Sequence, residues 1–312
     1  MRFKSIGLTA FSLALALVPG LMYAPDTALG QDAPEPTRRP FLWRIEGEPP
    51  SYLYGTIHVP DERVLALPPA VTLALDEAQV FCPEVWMDPE GQMKMTLAVL
   101  LPRGQSLGDL LPEALYRRLD RYMQREGVPL AFFERMKLWA VAANLGLLDY
   151  YRQGAAMKPP HDLHLYGLAD AAGKRLDALE TIEEQMALMD SVDRPHQIAM
   201  LEEALGHLER VEPGAASPIE ELIAAYLSGD GDRLMRVGLQ YTDLDDPRNA
   251  RFTDALIRQR NHTMAAAIDE RLRAASGPSY FFALGSLHLP GAEGLVSLLR
   301  ERGHALERVG SP

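Results

Sequence analysis

The sequence has 312 residues, 47% of them hydrophobic and 24% charged, with a formal net charge of −12. Length and composition are those of a globular chain able to bury a full core rather than a disordered one. The acidic balance, without a basic stripe or a nucleic-acid motif, argues against nucleic acid as partner and leaves a peptide or a small molecule.

Residues 1–30 read as a secretory signal peptide. Arg2 and Lys4 give a short positive start, Ile6 to Val18 is apolar, and Ala28-Leu29-Gly30 has the small-x-small form of a cleavage site. The expectation is an exported, periplasmic or extracellular protein. The alternative is an uncleaved N-terminal anchor, which would be the only membrane contact, because no later segment reaches about 18 uncharged apolar residues. Cys82 is the single cysteine, so no intrachain disulfide is possible. In VFCPEV it reads as a small buried residue rather than a nucleophile.

A Pro-rich linker, QDAPEPTRRP, covers 31–40, and 41–312 reads as one domain with a helical middle at about 90–275. Phe41–Glu46 and Ser51–Ile57 suggest two strands joined around Gly47-Glu48-Pro49-Pro50. Pro68-Pro69 opens a helix over Ala70–Gln79. Gln79–Val85 then reads as a strand with Glu84 near its C-terminal end. Apolar residues at three- and four-residue spacing predict helices over Glu90–Leu100, Pro112–Glu126, Ala131–Tyr150 and Leu163–Ala172. Lys174–Glu180 reads as a short strand. Thr181 with Glu184 is a capping box that opens a helix to about Asp190. Further helices are expected over Pro195–Arg210, Ile219–Leu227, Asp232–Gln240 and Pro247–Ala275, with a loop at Pro213–Pro218. Ser279–Gly285 is a strand, Gly291–Arg302 a helix and His304–Val309 a strand.

Two stretches share a pattern. YLYGTIHVPD (Tyr52–Asp61) and YFFALGSLHLPG (Tyr280–Gly291) each run from an apolar strand into Gly-x-x-His-x-Pro, then a helix and a strand. The predicted fold is therefore α/β. Two diverged βαβ-type units, each pairing its own parallel strands, would form a small central sheet around a large helical insert. Ligand sites in parallel sheets lie at the carboxyl ends of strands, where both motifs and Glu84 fall. Gly55 and Gly285 would allow a positive φ or a close backbone approach there.

Two imidazoles and a carboxylate, His58, His288 and Glu84, are a donor set for a divalent metal such as Mn, Co or Zn. Bound water there would attack an amide or ester carbonyl. A metal-free site is also open, with one histidine as general base and Glu84 orienting it. Glu180, at the end of a predicted strand, is placed to face the same cleft. Arg260-Asn261-His262 lies in a polar helix whose plainer reading is a solvated face. His161 and His164 have i,i+3 spacing for a metal, against the plainer reading of a polar helix start. HExxH, Walker A, GxSxG and CxxC are absent from the sequence.

YLYGTIHV, FCPEV, ALETIEEQ, RQRNHTMAAAI and FFALGSLHLPGAEGLVSLL occur in the order found in the TraB/GumN family. The chain resembles that family, which includes the animal Tiki metalloproteases, over roughly Tyr52 to Val309. The resemblance implies an α/β fold with paired Gly-x-x-His motifs and a metal-dependent peptidase site. His58 and His288 match the motif histidines and Glu84 the acidic residue. Glu180, Arg260 and Asn261 match other signature positions, implied to support the site or touch substrate. Where the family often has Gly-hydrophobic-Asp, this chain has Pro160-His161-Asp162, which leaves Asp162 without an assigned role. A similar site plan in erythromycin-esterase-like and haem-uptake-type relatives leaves the substrate open.

The sequence thus points to an exported metal-dependent hydrolase, most concretely a peptidase. A binding protein that captures a peptide, haem or metal without turnover is the reading from another class. A cofactor-free esterase is the third.

Overall fold

The computed structural model describes residues 37, 39–148, 158–211, 215–274 and 277–310. The 1–30 segment, most of the 31–40 linker, the Tyr150 and Ala275 ends of two expected helices, and part of the Pro213–Pro218 loop lie outside the described residues.

The strands are β1 (Leu42–Ile45), β2 (Ser51–Thr56), β3 (Val80–Pro83), β4 (Arg175–Leu176), β5 (Tyr280–Gly285) and β6 (Leu306–Arg308). Between β2 and β3 come α1 (Glu62–Leu65) and α2 (Pro69–Glu77). Between β3 and β4 come α3 (Pro89–Ala98), α4 (Leu107–Leu110), α5 (Glu113–Arg125), α6 (Leu138–Leu145) and α7 (His161–Ala171). After β4 follow α8 (Ile182–Asp190), α9 (Arg194–Leu208), α10 (Pro218–Leu227), α11 (Gly231–Leu239), α12 (Pro247–Thr253), a π-helical turn (Asp254–Gln259) and α13 (Arg260–Arg273). Helix α14 (Leu295–Glu301) lies between β5 and β6. The helix starts obey local chemistry. Asp88, Asp193, Ser217 and Asp230 cap their helices with side-chain acceptors, and Thr181 with Glu184 forms the expected capping box.

The sheet has six strands in the order β4-β3-β5-β2-β1-β6. β3, β5 and β2 are neighbours and parallel, while β1 is antiparallel to both β2 and β6. Every residue of the three central strands is buried, as expected of a parallel sheet covered on both faces. On one face Leu42, Tyr54, Phe81 and Phe281 pack against Val71 and Leu75 of α2 and Leu165 of α7. On the other, Leu53, Cys82, Phe282 and Leu284 pack against Ile223 of α10, Met264 and Ile268 of α13 and Leu298 of α14. A third core lies in the helical middle, around the wholly buried α6. Its rim holds Val85, Ile182, Met186 and Leu256, next to the ends of β3 and α8 and within the π turn.

The expected α/β class and helical middle are present, but the pairing differs from two self-contained units. β2 does not pair with β3, nor β5 with β6; each crossover steps over intervening strands, and β5 lies between β3 and β2. Three element readings change. The helix expected from Ala131 breaks into a 3₁₀ turn (Leu130–Phe132) and α6, because residues near Met136 bridge back to Leu100, with Lys137 N–H donating to Val99 O at 2.8 Å. The Lys174–Glu180 strand shortens to β4; its last residues instead turn toward Glu84, whose carbonyl accepts the Glu180 N–H at 2.8 Å. The long Pro247 helix is interrupted by the π turn just before Arg260. No helix among the described residues is long and apolar enough to cross a membrane.

Candidate active site at the strand ends

β2 and β5 pair in register with Gly55 opposite Leu284 and Thr56 opposite Gly285, so both Gly-x-x-His turns leave the same edge of the sheet side by side. Glu84 leaves that edge one strand further on, just beyond Pro83 of β3. Close approach, not a left-handed backbone, explains both glycines: Gly285 has φ −51, and Gly55 is not among the positive-φ residues. A Cβ on Gly285 would lie 3.1 Å from Glu84 Oε1, 3.4 Å from His288 Cδ2 and 4.0 Å from His58 Nε2. The three predicted side chains therefore gather around one backbone point. A Cβ on Gly55 would stand 2.7 Å from Leu289 Cδ1 and 2.8 Å from Phe41 Cβ.

Each histidine is held by a different partner. His58 Nδ1–H donates to Asp162 Oδ2 at 2.5 Å, and the other Asp162 oxygen accepts from the Thr56 hydroxyl. His288 Nδ1–H donates to Asn261 Oδ1 at 2.6 Å, while Asn261 Nδ2 donates to the Glu293 carbonyl at 2.7 Å. The second bond fixes which end of the Asn261 amide faces the ring, and hence the His288 tautomer. In the neutral form of both rings Nδ1 then carries the proton and Nε2 the lone pair. The carboxylate partner outweighs the lowering effect of burial and raises the His58 pKa. Burial and the neighbouring Arg260 charge instead push His288 down to about 4.

Glu84 is almost fully buried and fully bonded. Its Oε1 accepts the Gly285 N–H at 2.7 Å; its Oε2 accepts Arg260 Nη2 at 2.5 Å and Gln185 Nε2 at 3.1 Å. Burial alone would raise this carboxyl; the Arg260 guanidinium, the two imidazoles and the Gly285 N–H hold it well below the usual carboxylate range. Arg260 also meets Glu180 through Nη2 at 2.6 Å and Nε at 3.1 Å, and its Nη1 lies 3.3 Å from His288 Nε2. Gln185 bridges the two carboxylates, with Nε2 also 3.1 Å from Glu180 Oε2.

All of His58, Glu84, Glu180, Arg260, Asn261 and His288 thus converge on one edge of the sheet. Arg260 and Asn261 do not lie on a solvated face: Asn261 is buried, and the Arg260 side chain is 13% exposed. Glu84 orients neither histidine, since its Oε1 is 3.9 Å from His288 Nε2 and the Nδ1 atoms belong to Asp162 and Asn261. Asp162 and Thr56 are the residues that sequence reasoning missed. Asp162 reads as an ordinary acid in the first turn of α7, and only the fold brings it to His58. Its neighbour His161 does not sit at a polar, solvated helix start. It is fully buried, with Nε2 3.4 Å from the Tyr54 hydroxyl, which meets Tyr226 at 3.1 Å; Tyr226 donates to the Gly55 carbonyl at 2.8 Å. That chain ties α7 and α10 to the first motif glycine. Cys82 is fully buried and burial pushes its thiol up, as expected of a packing residue.

The donor chemistry fits a divalent transition ion: two imidazoles whose Nδ1–H groups are taken by fixed partners, beside a carboxylate. The arrangement is less open. Glu84 is engaged by Arg260, and among the described residues no three His, Cys, Asp or Glu side chains form a ready metal-holding group.

A profile of the TraB/PrgY/gumN family matches residues 41–308, and the chain belongs to that family. It is similar to the zebrafish (Danio rerio) Metalloprotease TIKI1, 28% identical over an alignment covering 89% of this chain and 65% of that protein. The human Metalloprotease TIKI1 is 27% identical, with 92% and 65% covered. A bacterial relative, the uncharacterized protein YbaP of Shigella flexneri, is 24% identical over 82% of this chain and 90% of its own length. The chain thus spans slightly under two thirds of these TIKI1 proteins, 65% in each case. No solved structure matches it.

Proposed function

We propose that this chain is an exported metal-dependent hydrolase, a peptidase acting on a peptide or small-molecule amide. The observation that carries the reading is the pair of Gly-x-x-His imidazoles at the ends of adjacent parallel strands, each with Nδ1–H fixed so that Nε2 carries the lone pair, beside Glu84. The names of the TIKI relatives support the same class. His58, His288 and Glu84 would hold the ion, with Mn, Co and Zn as candidates. A divalent cation so held supplies Lewis-acid polarisation of a scissile carbonyl and an acidified water.

The remaining residues act as this chain's own machinery. Asp162 and Asn261 keep both rings in the Nδ1–H tautomer and fix their orientation. Arg260 holds a positive charge beside Glu84 and His288 Nε2, where it would stabilise an oxyanion developing on the substrate. Glu180 and Gln185 set the position of that guanidinium.

The test pairs metal content with turnover. The chain lacking residues 1–30 is equilibrated with Mn, Co or Zn and desalted, beside a His58→Ala/His288→Ala double variant. Near-stoichiometric metal in the parent alone, with more than one equivalent of product from a peptide library, is expected. Metal or ligand capture without turnover would support the sequestering protein instead. Turnover that survives chelation would support the cofactor-free esterase.

A further inference from the structure

His288 is gripped on both ring nitrogens by consecutive residues of one helix. Asn261 accepts from Nδ1–H, and Arg260 Nη1 lies 3.3 Å from Nε2. With the tautomer fixed by Asn261, Nε2 has one in-plane lone pair, and the guanidinium faces it. The same guanidinium takes Glu84 Oε2 at 2.5 Å. Two of the three donors assigned above to a cation are therefore already bonded to Arg260. One lone pair cannot serve an N–H donor and a metal at once, and a fixed positive charge beside the site opposes a second one.

The structure also shows what holds the guanidinium in place. Glu180 takes Arg260 through both Nη2 (2.6 Å) and Nε (3.1 Å), using the side of the fork turned away from His288. The π-helical turn Asp254–Gln259 ends directly before Arg260 and sets the register in which residues 260 and 261 reach the same imidazole.

We infer that Arg260 and the divalent cation are alternative occupants of the position between His288 Nε2 and Glu84, and that Glu180 retains the guanidinium when the cation displaces it. This rests on the metal-dependent reading and deepens it. Arg260 lowers the affinity of the site, so that loading requires its Nη1 to leave His288. Glu180, which lies behind the guanidinium, serves as its anchor and not as a ligand.

The test is equilibrium binding of Co²⁺, Mn²⁺ and Zn²⁺ to the full chain by calorimetry, comparing parent, Arg260→Met and His288→Ala. Circular dichroism checks that each variant is folded. Arg260→Met is expected to bind the same single equivalent about tenfold or more tightly, and His288→Ala to lose it. Arg260→Met leaves two buried carboxylates uncompensated, so Arg260→Met/Glu180→Gln is measured beside it; this variant keeps Glu84 and is also expected to bind more tightly than the parent. Equal or weaker binding in the folded Arg260 variants, with the parent still loading, overturns the competition and leaves the metal reading intact. Absence of binding in the parent and in the Arg260 variants alike, or binding that survives His288→Ala, overturns both.

Discussion

The two Gly-x-x-His turns are nearly the same in sequence and emerge side by side, yet their surroundings differ. His58 is backed by a carboxylate, Asp162, from the first turn of α7; His288 is backed by an amide, Asn261, from α13. The first ring is raised in pKa; the second is lowered to about 4, with a guanidinium against its remaining nitrogen. A repeated motif therefore places two imidazoles without making them equivalent. The chemistry of each is decided by what the helical layers bring to it, and that difference can be broken or sharpened by substitution.

The largest effect is expected from removing either ring. His58→Ala and His288→Ala should each bring hydrolysis to background, measured as product release under metal-saturated conditions. Circular dichroism should be unchanged, because neither side chain belongs to the apolar cores. A variant with parental turnover would remove that histidine from the mechanism.

Exchanging the partners comes next. Asp162→Asn keeps a hydrogen-bonding group near His58 but removes the charge. It should cost roughly 10- to 100-fold in metal affinity or turnover, the usual effect of altering a ligand's supporting partner. Asn261→Asp should bring the His288 titration up toward that of His58, followed by NMR of the ring protons in the metal-free chain. If the two rings titrate alike in the parent, the asymmetry is refuted.

Acid stability gives a third contrast, again in the metal-free chain. His288 and the buried His161 are both lowered from 6.5 to about 4. The unfolded chain binds more protons at these two positions between those values, so their contribution is lost as pH falls from about 6.5 to about 4. His58 is raised and has the opposite sign: its contribution is full below 6.5 and disappears as pH rises through its folded value. Denaturant melts across this range should show a net loss on acidification, on the order of a few kcal/mol. His288→Ala should flatten the dependence, and His58→Ala should leave its slope in this range nearly unchanged.

The smallest effects should separate the two glycines. Gly55→Ala forces a methyl against Leu289 and Phe41, at 2.7 and 2.8 Å, and should cost about 1–3 kcal/mol of stability, the usual range for overpacking. At Gly285 the nearest atom is Glu84 Oε1 at 3.1 Å, so alanine there should lower metal affinity with less loss of stability. Thermal melts and metal titrations of the pair would distinguish the two.

Much of this site could be read from residue order. The apolar runs ending in Gly-x-x-His marked strands whose carboxyl ends carry side chains, and the place of Glu84 near the end of the next strand marked it as a third such position. Thr181 with Glu184 announced α8, which places Gln185. Asp162 was illegible for a physical reason. An acid at a helix start is satisfied locally by the free N–H groups of the first turn, so nothing in its neighbourhood predicts a bond to a residue 104 positions away. Arg260 was legible through the family resemblance, but periodicity did not reveal its aim at Glu84 and His288. Its pattern is that of a polar helix, and the π turn that re-aims it leaves no periodicity signal of its own.

By itself, then, the sequence determined what depends on near neighbours: the strand-like runs, the proline and capping starts of helices, the burial of Cys82, and the two motif turns with their glycines. Tertiary structure decided what depends on strand order and on contacts across the chain. It placed β5 between β3 and β2, gave one histidine a carboxylate and the other an amide, and closed Arg260 over Glu84. Hydrogen bonds between groups far apart in the chain, from 27 residues for His288 and Asn261 to 176 for Arg260 and Glu84, have no local signature, because loop closure and packing, not the residues beside them in sequence, choose the partner.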